Sequence, residues 1–471
     1  MYKEIARLDR TLRPYQQDAK EKIFAAWDEC NNVMFQMPTG TGKTRLFTSI
    51  ISDVKAWGIL RSVEAKILII AHRIELIEQI SENLGKYGIV HGIIAGGKER
   101  DLSLPVQVAS IQTITHHTNV SAAQDLNVNF IIIDEAHHSV ANSYKKLWKM
   151  FPNAKVLGVT ATPWRMNNRG FCEMYDRLIL SKSIKEFIKE GWLAPYDYYS
   201  IKESSELNAE INNIDEFDIE GDYKTAALET VIDTSRIRAQ LLDSYLKYAK
   251  GKKGIIYSIS RKHSDHICNE FKQAGVNIVR IDSLTPRDER RLYVKRFRSG
   301  QIDIIVNVDI FSEGFDCPDI EFIQLARPTK SLVKYIQQVG RGLRPTENKT
   351  RCLILDNVGL HLAFGLPDAD QDWEKYFEGE APIATGHGES GSTPTPNVAT
   401  PEPSFEEGND EMCLIKSTEE IPWSAHDTEL LKTLYFDKHC SIQIIAAVFK
   451  MSEQQVQERI ENINKCDAPS K

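Results

Sequence analysis

Short apolar runs, most of them rich in β-branched residues, recur along the chain, and helical periodicity follows each of them. Runs with so little polar alternation are typical of strands buried on both faces, and helices between them give right-handed crossovers in a parallel sheet. The runs form two sets, which predict two tandem α/β domains. The first set is NVMFQM, AKILIIAH, VQVASI, FIIIDEA and KVLGVTA, and the second is GIIYSI, VNIVRID, IDIIVNV, EFIQLA and CLILD.

Changes in this pattern predict the domain boundaries. Polar, poorly periodic sequence separates the two sets of strands. A later stretch, rich in Gly, Pro, Ser, Thr and acidic residues, favours disorder, and helical periodicity then returns. We predict a first α/β domain over 1–180, a connection and second α/β domain over 181–365, an acidic disordered linker over 366–420, and a three-helix module over 421–466.

Composition predicts a soluble protein. The 471 residues contain no apolar run near the roughly 18 residues of a membrane span, and the N-terminal sequence lacks the apolar core of a secretion signal. The eight cysteines include no C-x-x-C pair, which argues against structural zinc and against a disulfide framework. We therefore expect reduced thiols, no membrane contact and a cytoplasmic location, at the nucleoid if the source is bacterial.

The net charge of −8 is unevenly distributed. Residues 366–420 carry 14 acidic residues against two lysines and contribute −12, which leaves +4 for the remainder of the chain. Affinity for nucleic acid depends on the local field of a groove and not on the net charge. A nucleic-acid partner is therefore compatible with this composition.

The stretch MPTGTGKTRL, residues 37–46, follows the first apolar run. Glycine at this density indicates backbone that side chains would block, and the order strand, glycine loop, helix offers N–H groups to phosphate oxygens. Lys43 is then expected at the β and γ phosphates and the Thr44 hydroxyl at magnesium. Met37 stands where the strict phosphate-loop pattern has glycine. The predicted phosphate-binding residues are Thr39, Gly40, Thr41, Gly42, Lys43 and Thr44.

The sequence FIIIDEAHH delivers two carboxylates at the end of an apolar run. Ligands of open α/β sheets bind at the carboxyl ends of the strands. Asp134 is predicted to hold magnesium through water, and Glu135 is predicted to orient and deprotonate the attacking water. The adjacent histidines lack the spacing of zinc ligands, so no zinc site is predicted.

Two further stretches predict how the site is completed. VTATPWR places two threonine hydroxyls after another strand, and YIQQVGRGLRP presents Gln337, Arg341 and Arg344 on one side of a helix. Brought to a nucleotide on the first domain, the arginines would act as arginine fingers, which are worth roughly 10³ to 10⁵ in rate. The chain is therefore predicted to hydrolyse a nucleoside triphosphate between its two α/β domains.

The series of motifs resembles superfamily 2 helicases and translocases, which have two RecA-like domains, and the resemblance covers roughly residues 8–365. LRPYQQ resembles the adenine-reading Q element, and MPTGTGKT, IIAHRIELIEQ, DEAH, TATP, IIYSISRKHSD, VNVDIFSEGFD and QQVGRGLR resemble motifs I, Ia, II, III, IV, V and VI. The stretches LRPYQ, TATPWR and Q-x-x-G-R-G-L-R are similar to the RadD-like and XPB-like branch, akin to restriction-enzyme translocases, which act mainly on duplex or branched DNA.

The resemblance implies roles for further residues. Gln16 is the expected base contact, with Arg13 as its stacking neighbour. Gly314 and Asp316 of motif V are expected on the nucleotide side. The residues expected to couple nucleotide and nucleic acid are His137, Thr160 and Thr162. The expected nucleic-acid contacts are Arg73, Thr113, Ser260, Arg261 and Asn307, the last in place of the usual threonine of motif V.

Residues 421–466 resemble a small Myb-like or helix-turn-helix module. The last predicted helix, SEQQVQERIENI, carries little positive charge, so DNA and a protein partner remain alternatives for this module. The residues predicted to face its core are Trp423, Leu430, Leu434, Ile442, Ile445, Phe449, Val456 and Ile460.

The sequence thus predicts an α/β protein with two tandem RecA-like domains, a flexible acidic linker and a small all-α C-terminal domain. Its expected activity is ATP-dependent, Mg²⁺-assisted movement along nucleic acid or strand separation, with DNA favoured over RNA. Two alternatives stay open: an RNA helicase, and a nucleic-acid-stimulated ATPase that clamps without unwinding.

Overall fold

The chain forms two seven-stranded sheets. The strands of the first sheet lie between residues 32 and 180, and those of the second lie between 196 and 417. The structure is a computed structural model, and it describes residues 5–6, 9–98, 101–116, 119–167, 169–309, 311, 317–346, 349–380 and 412–418, with scattered positions between 431 and 460.

The strands of the first sheet all pair in parallel, in the order β3-β4-β2-β5-β6-β1-β7. In chain order they are β1 (Asn32–Gln36), β2 (Ile67–Ala71), β3 (Gly92–Ile94), β4 (Val106–Ser110), β5 (Phe130–Asp134), β6 (Lys155–Thr160) and β7 (Arg177–Leu180). Alternate residues of β5 enter different cores, Phe130 and Ile132 on one face and Ile131 and Ile133 on the other. This two-sided burial explains why the run FIIID has no polar alternation.

Helices cover this sheet and connect its strands. They are α1 (Pro14–Glu29), α2 (Lys43–Leu60), α3 (Ile74–Lys86), α4 (Ile111–Ile114), α5 (Val120–Gln124) and α6 (Asn142–Met150), with a short 3₁₀ helix at Ala136–His138 and α7 (Ile184–Lys189) after β7. Helix α2 begins directly after the glycine loop, and α1 precedes β1, the strand that leads into the loop.

The second sheet has the order β10-β11-β9-β12-β13-β8-β14, parallel except for the antiparallel edge strand β14. Its strands are β8 (Tyr196–Ile201), β9 (Gly254–Tyr257), β10 (Ile278–Ile281), β11 (Ile304–Asn307), β12 (Phe322–Leu325), β13 (Cys352–Asp356) and β14 (Met412–Ser417). Its helices are α8 (Glu206–Asn212), α9 (Thr225–Ile232), α10 (Ser235–Ser244), α11 (Arg261–Gln273), α12 (Arg287–Arg298), α13 (Leu332–Gly342), α14 (Leu360–Phe364) and α15 (Trp373–Glu378), and a π-helical turn, Tyr245–Ala249, extends α10.

The α/β fold class with two tandem parallel sheets is confirmed, and all ten apolar runs are strands. Four strands were not anticipated: β3, β7, β8 and β14. Of these, β8 (YDYYSI) lies in the polar connection. It pairs in parallel with β13, and its Tyr196 and Tyr198 are buried in the core. The domain boundaries themselves stay predictions.

The prediction of a disordered linker over 366–420 is wrong at both ends of the segment. Phe377 of α15 is buried against Phe171, with ring centroids 6.1 Å apart, and its backbone oxygen accepts a hydrogen bond of 2.7 Å from the Phe171 N–H. At the other end, β14 pairs with β8. Local composition hides these elements because each is stabilised by a partner far away in the sequence.

A small apolar cluster lies within the predicted C-terminal module. Leu431, Ile445, Val456 and Ile460 are buried together, and Leu434 and Ile442 pack against them. A π-helical turn spans Thr433–Asp437. The remaining predicted core positions, Trp423, Leu430 and Phe449, lie outside the described residues, and the Myb-like assignment stays a prediction.

Candidate active site

The phosphate loop lies between the end of β1 and the start of α2. Gly40 and Gly42 have φ angles of 89° and 93°, in the left-handed region that favours glycine. A Cβ on Gly42 would lie 2.5 Å from Nε2 of Gln16, and a Cβ on Gly40 would lie 3.0 Å from Cγ of Arg344. Both backbone conformation and close packing therefore require glycine here.

Lys43 is the first residue of α2. Its Nζ donates a hydrogen bond of 3.2 Å to the backbone oxygen of Met37. Burial lowers the pKa of Lys43, and the carboxylates of Glu135 and Asp134 act in the opposite direction. A phosphate oxygen in this position would add negative charge beside a partly desolvated ammonium group, which is a strong interaction.

Gln16 lies against the phosphate loop. Its Nε2 donates to the backbone oxygens of Thr41 at 3.1 Å and Gly42 at 3.2 Å, and its Oε1 accepts from the backbone N–H of Arg13 at 3.0 Å. The hydroxyl of Tyr15, which no motif argument singled out, donates to the Thr41 oxygen at 2.7 Å. In this structure Gln16 connects α1 to the loop, and its expected contact with a base stays a prediction.

Arg13, the expected stacking neighbour of the base, is held by an aromatic side chain. Its guanidinium carbon lies 5.0 Å from the ring centroid of Trp192, and the same guanidinium donates to the hydroxyl of Tyr15 at 2.9 Å. Trp192 follows α7 in sequence that was predicted as connection. It carries no motif signal, because its role depends on a contact between distant parts of the chain.

The two carboxylates of DEAH lie where β5 ends. Asp134 is the last residue of the strand, and its Oδ1 accepts a hydrogen bond of 3.1 Å from the backbone N–H of Glu135. Glu135 adopts φ 51° and ψ 53°, a left-handed conformation that is uncommon for a residue with a side chain. Both carboxylates line the same cavity as Lys43 and Thr44.

The three predicted coupling residues lie together beside Glu135. Nδ1 of His137 is 3.1 Å from Oγ1 of Thr160 and 3.4 Å from Oε2 of Glu135. The Thr160 hydroxyl also accepts a hydrogen bond of 3.1 Å from the backbone N–H of Thr162. A change in the position of Thr160 or Thr162 would therefore be transmitted to the Glu135 carboxylate through the imidazole ring of His137.

Helix α13 of the second domain completes the site. Nε2 of Gln337 donates a hydrogen bond of 3.3 Å to Oε2 of Glu135. A Cβ on Gly340 would lie only 2.7 Å from Cβ of Thr39, so the helix packs directly on the phosphate loop. Helix packing at this distance places the end of α13 at the mouth of the nucleotide site.

Both predicted arginine fingers line the cavity that contains Lys43. Arg341 is 5% exposed and Arg344 is half-buried. The cavity has a volume of about 270 Å³, and four cationic and two acidic side chains line it. This excess of positive charge favours a polyanion. Together with the left-handed glycines and the N-terminus of α2, it fits the phosphates of ATP.

Magnesium also fits the site. Thr44 and Asp134 line the cavity from adjacent elements. Mg²⁺ usually keeps several waters and takes only one or two protein ligands beside substrate phosphates. A hydroxyl and a carboxylate are the oxygen donors that this ion prefers.

Four residues of the cavity wall were missed by sequence reasoning: Arg45, Leu76, Gln79 and Asn83. Gln79 and Asn83 are four residues apart on α3 and so share one helix face, a spacing that the sequence does contain. Arg45 pairs with Asp9 at 2.6 Å, and its guanidinium lies 4.3 Å from the ring centroid of Tyr87. These contacts of Arg45 are made with residues distant in the sequence, so no local sequence pattern predicts them.

The expected nucleic-acid contacts lie in different environments. Nη1 of Arg73 donates to the backbone oxygen of Asp309 in the second domain at 3.2 Å. Thr113 is half-buried in α4, and Arg261 is exposed at the start of α11. Ser260 is the N-cap of α11, where its hydroxyl accepts the N–H of the third helical residue. Arg73 and Arg261 therefore present charge to solvent or to the cleft, whereas Ser260 has a structural task.

The structure does not support Asn307 as a nucleic-acid contact. Its side chain is fully buried, Nδ2 donates to the backbone oxygen of Ile256 at 3.4 Å, and Oδ1 accepts from the N–H of Phe311 at 3.3 Å. Because both ends of the amide are used inside the second domain, Asn307 holds the end of β11. Gly314 and Asp316 lie outside the described residues, so their expected role stays a prediction.

A second cavity, of about 570 Å³, lies between the domains, and two residues that contact Glu135, His137 and Gln337, line it. It is lined in part by Arg73, Arg165 and Lys334, by the ring of Trp164, and by His138. Three cationic side chains face two carboxylates, those of Glu220 and Asp309, and this small excess of positive charge suits a backbone phosphate. Arg165 and Lys334 were not among the predicted contacts.

Two family models match the chain: "Type III restriction enzyme, res subunit" over residues 9–165 and "Helicase conserved C-terminal domain" over 237–346. The "51.5 kDa protein" of Lactococcus phage (isolate 7-9) is 35% identical over 74% of this chain and 70% of its own length. The chain belongs to the superfamily 2 helicases related to restriction-enzyme translocases. The predicted family and the class of enzyme, an ATP hydrolase, are confirmed.

Other comparisons agree with this helicase family. "Putative ATP-dependent helicase IRC3" of Saccharomyces cerevisiae is 32% identical over 74% of this chain, and the chain spans about half the length (51%) of that relative. The fragment structure of a putative HsdR subunit of a type I restriction enzyme from Vibrio vulnificus YJ016 superposes on 81% of this chain, and the match covers 69% of that chain, with TM-score 0.61 and 23% identity. That likeness shows the fold.

Neither a membrane-spanning helix nor a cluster of metal ligands is present among the described residues. None of the described helices is both long and apolar enough to cross a membrane. In the same part of the helicase, no three His, Cys, Asp or Glu side chains converge as a metal-ion cage. The cytoplasmic location stays a prediction.

Proposed function

We propose that this helicase couples ATP hydrolysis to movement along DNA, or to the separation of its strands, by closing its second domain on a nucleotide held by the first. One observation carries the proposal: groups from both domains meet at Glu135, which accepts the hydrogen bond from Gln337 across the cleft. Since Arg341 and Arg344 line the cavity that contains Lys43, an ATP molecule in that cavity would touch both domains. Its hydrolysis would then release them from one another.

Each side chain has a task in hydrolysis. Lys43, Arg341 and Arg344 stabilise negative charge on the phosphoryl group that is transferred. Glu135 orients the attacking water and accepts its proton. His137 and Gln337 contact the same oxygen of Glu135 and so fix the direction of that carboxylate.

Magnesium belongs to this proposal. When bound, Mg²⁺ neutralises charge on the β and γ phosphates. Thr44 would supply a hydroxyl ligand and Asp134 a carboxylate that acts through water. Removal of divalent ions with a chelator should therefore abolish turnover, and excess Mg²⁺ should restore it.

DNA enters in the second cavity, where phosphates replace the backbone oxygen of Asp309 as the partner of Arg73. Contacts of this kind are largely independent of sequence and sensitive to salt. The preference for DNA over RNA is supported by the match to a restriction-enzyme family, because restriction enzymes act on DNA.

The test compares the ATPase rate of the wild-type chain with no nucleic acid and with single-stranded DNA, duplex DNA, forked DNA or RNA. Duplex or forked DNA should give the largest increase in kcat, and Lys43→Ala should abolish turnover with every substrate. Triplex-displacement and strand-displacement assays on the same DNA separate translocation from unwinding. The largest stimulation by RNA would favour the RNA helicase. Stimulation by DNA with neither displacement activity would favour the clamp.

A further inference from the structure

Three histidine rings form a continuous stack between Arg73 and Glu135. The ring centroids of His72 and His138 are 4.2 Å apart, and those of His138 and His137 are 4.1 Å apart. The planes are inclined by 51° and 45°, so each ring packs at an angle on the next one. Two rings of the stack, His137 and His138, line the second cavity together with Arg73.

One end of the stack lies at the expected nucleic-acid contacts. His72 precedes Arg73, whose guanidinium donates to Asp309 of the second domain at 3.2 Å. The backbone oxygen of His72 accepts a hydrogen bond of 3.3 Å from the side chain of Gln112, which precedes Thr113. A nucleic-acid strand that binds Arg73 or Thr113 therefore acts on the backbone of His72, which precedes Arg73 and accepts the hydrogen bond from Gln112.

The other end lies at the hydrolytic carboxylate. Nδ1 of His137 is 3.4 Å from Oε2 of Glu135 and 3.1 Å from the hydroxyl of Thr160. His137 is 6% exposed and Glu135 is 6% exposed, so neither side chain has room to move independently of its neighbours. A displacement of the imidazole would therefore displace the carboxylate.

The motifs assign a role to His137 alone. His72 and His138 are connected to Glu135 through ring contacts with His137, and packed rings resist compression steeply at this separation. The stack thus joins two sites by contiguous side chains, which is the arrangement that allows one site to bias the other.

We propose that His72 and His138 are positioning residues that make the placement of Glu135 depend on nucleic acid bound at Arg73. The inference rests on the proposed function, because it concerns stimulation of ATP hydrolysis by DNA. A phosphate that draws Arg73 away from Asp309 shifts His72, and the shift passes through His138 to His137 and Glu135.

The test measures kcat and KM for ATP with and without saturating duplex DNA in His72→Ala and His138→Ala. Each variant should lower the ratio of stimulated to basal kcat by about 2- to 30-fold, the usual range for residues that carry coupling. The dissociation constant of His72→Ala for DNA should stay near the wild-type value, because His72 does not line the second cavity. The double variant should be no worse than the stronger single variant, since both rings act in series.

Two kinds of control separate packing from other effects. His72→Phe and His138→Phe keep a ring and should restore most of the stimulation. His91→Ala removes a histidine whose ring contacts Ser81 and Ile89 outside the stack, and it should keep the wild-type ratio. Thermal unfolding of every variant should match that of the wild type within a few degrees.

Two results would overturn the inference. The first is a wild-type ratio of stimulated to basal kcat in both alanine variants. The second is a loss that phenylalanine does not restore. Failure of the proposed function is distinguishable, because the wild-type chain itself would then show no stimulation by DNA.

Discussion

The side chains of Gln337 and Glu135 are joined by a hydrogen bond of 3.3 Å, although they belong to different domains. They are 2% and 6% exposed, so the bond is shielded from water. The same carboxylate oxygen lies 3.4 Å from Nδ1 of His137. The hydrolytic carboxylate is therefore held from its own domain and from the partner domain at once, and its placement depends on closure of the cleft.

Replacing Gln337 with leucine should lower kcat for ATP by about 10- to 100-fold, because a hydrogen bond to a charged group is worth about 1.5–3 kcal/mol. The KM for ATP should change little, since Gln337 contacts the carboxylate and not the phosphates. Steady-state ATPase assays at saturating DNA measure both parameters. Gln273→Leu, at an exposed position on α11, is the matched control and should retain the wild-type rate. A wild-type kcat in Gln337→Leu would contradict this assignment.

Gly340→Ala should lower ATPase activity by preventing full closure. The new Cβ would lie 2.7 Å from Cβ of Thr39, so α13 and the phosphate loop must separate by several tenths of an ångström. A misplacement of about 1 Å can cost about 10²-fold in rate, so this smaller displacement should lower activity by up to that factor. Gly85→Ala is the control, because its Cβ meets no atom within 4 Å, and this substitution should slightly stabilise α3. Equal activities of the two variants would show that the contact is not needed for hydrolysis.

Glu135→Gln should trap the ATP-bound, closed form. The amide keeps the size of the side chain and can still meet Gln337, but it cannot accept a proton from water. With ATP present, the variant should hold duplex DNA at salt concentrations that release the wild-type chain, which fluorescence anisotropy across a salt titration would measure. If the variant with ATP binds duplex DNA no more tightly than the wild-type chain does, the clamp mechanism is contradicted. Lys22→Ala, at an exposed site on α1, serves as a neutral reference.

The second domain should lose stability in mild acid because of His263. Burial lowers its pKa from 6.5 to about 4, although Asp233 acts in the opposite direction. Between these two pH values the unfolded chain binds more protons than the folded one, so the free energy of unfolding falls as the pH falls, by up to about 3 kcal/mol. His263→Leu should flatten this dependence in urea unfolding between pH 7 and 4.5. His116→Leu, at an exposed position, should leave the pH dependence unchanged. If the free energy of unfolding changes equally with pH in both variants, His263 is not the source of the acid sensitivity.

The sequence predicted the parts of the site that are local. An apolar run that ends in Asp134 and Glu135 is enough to place two carboxylates at the end of a strand. The prediction that Arg341 and Arg344 share one side of a helix is wrong for Arg344, because α13 ends at Gly342 and Arg344 lies beyond its C-cap. Both arginines nevertheless line the nucleotide cavity. That α13 would pack on the phosphate loop followed only from the resemblance. The contact between Gly340 and Thr39 has no local signal.

The errors have a common physical origin. Asn307 occupies a motif position but is buried, because the end of β11 needs its amide for backbone groups. Trp192 and Tyr15 were missed because their partners are remote in sequence. Phe377 was assigned to a linker because its neighbours are polar, while the surface that buries it lies some two hundred residues earlier.

Phe377 follows β13 of the second sheet in the chain but packs beside Phe171 of the first domain, so the chain connects the two domains a second time. The chain leaves the second sheet after Asp356, places Phe377 in the core beside Phe171 and pairs with the second sheet again at Met412. A rotation that widens the cleft therefore requires one of two changes. Either the backbone between Asp356 and Phe377 becomes more extended, or the Phe377 ring leaves the core beside Phe171. Opening of the cleft is therefore coupled to the burial of an aromatic ring that lies outside every helicase motif.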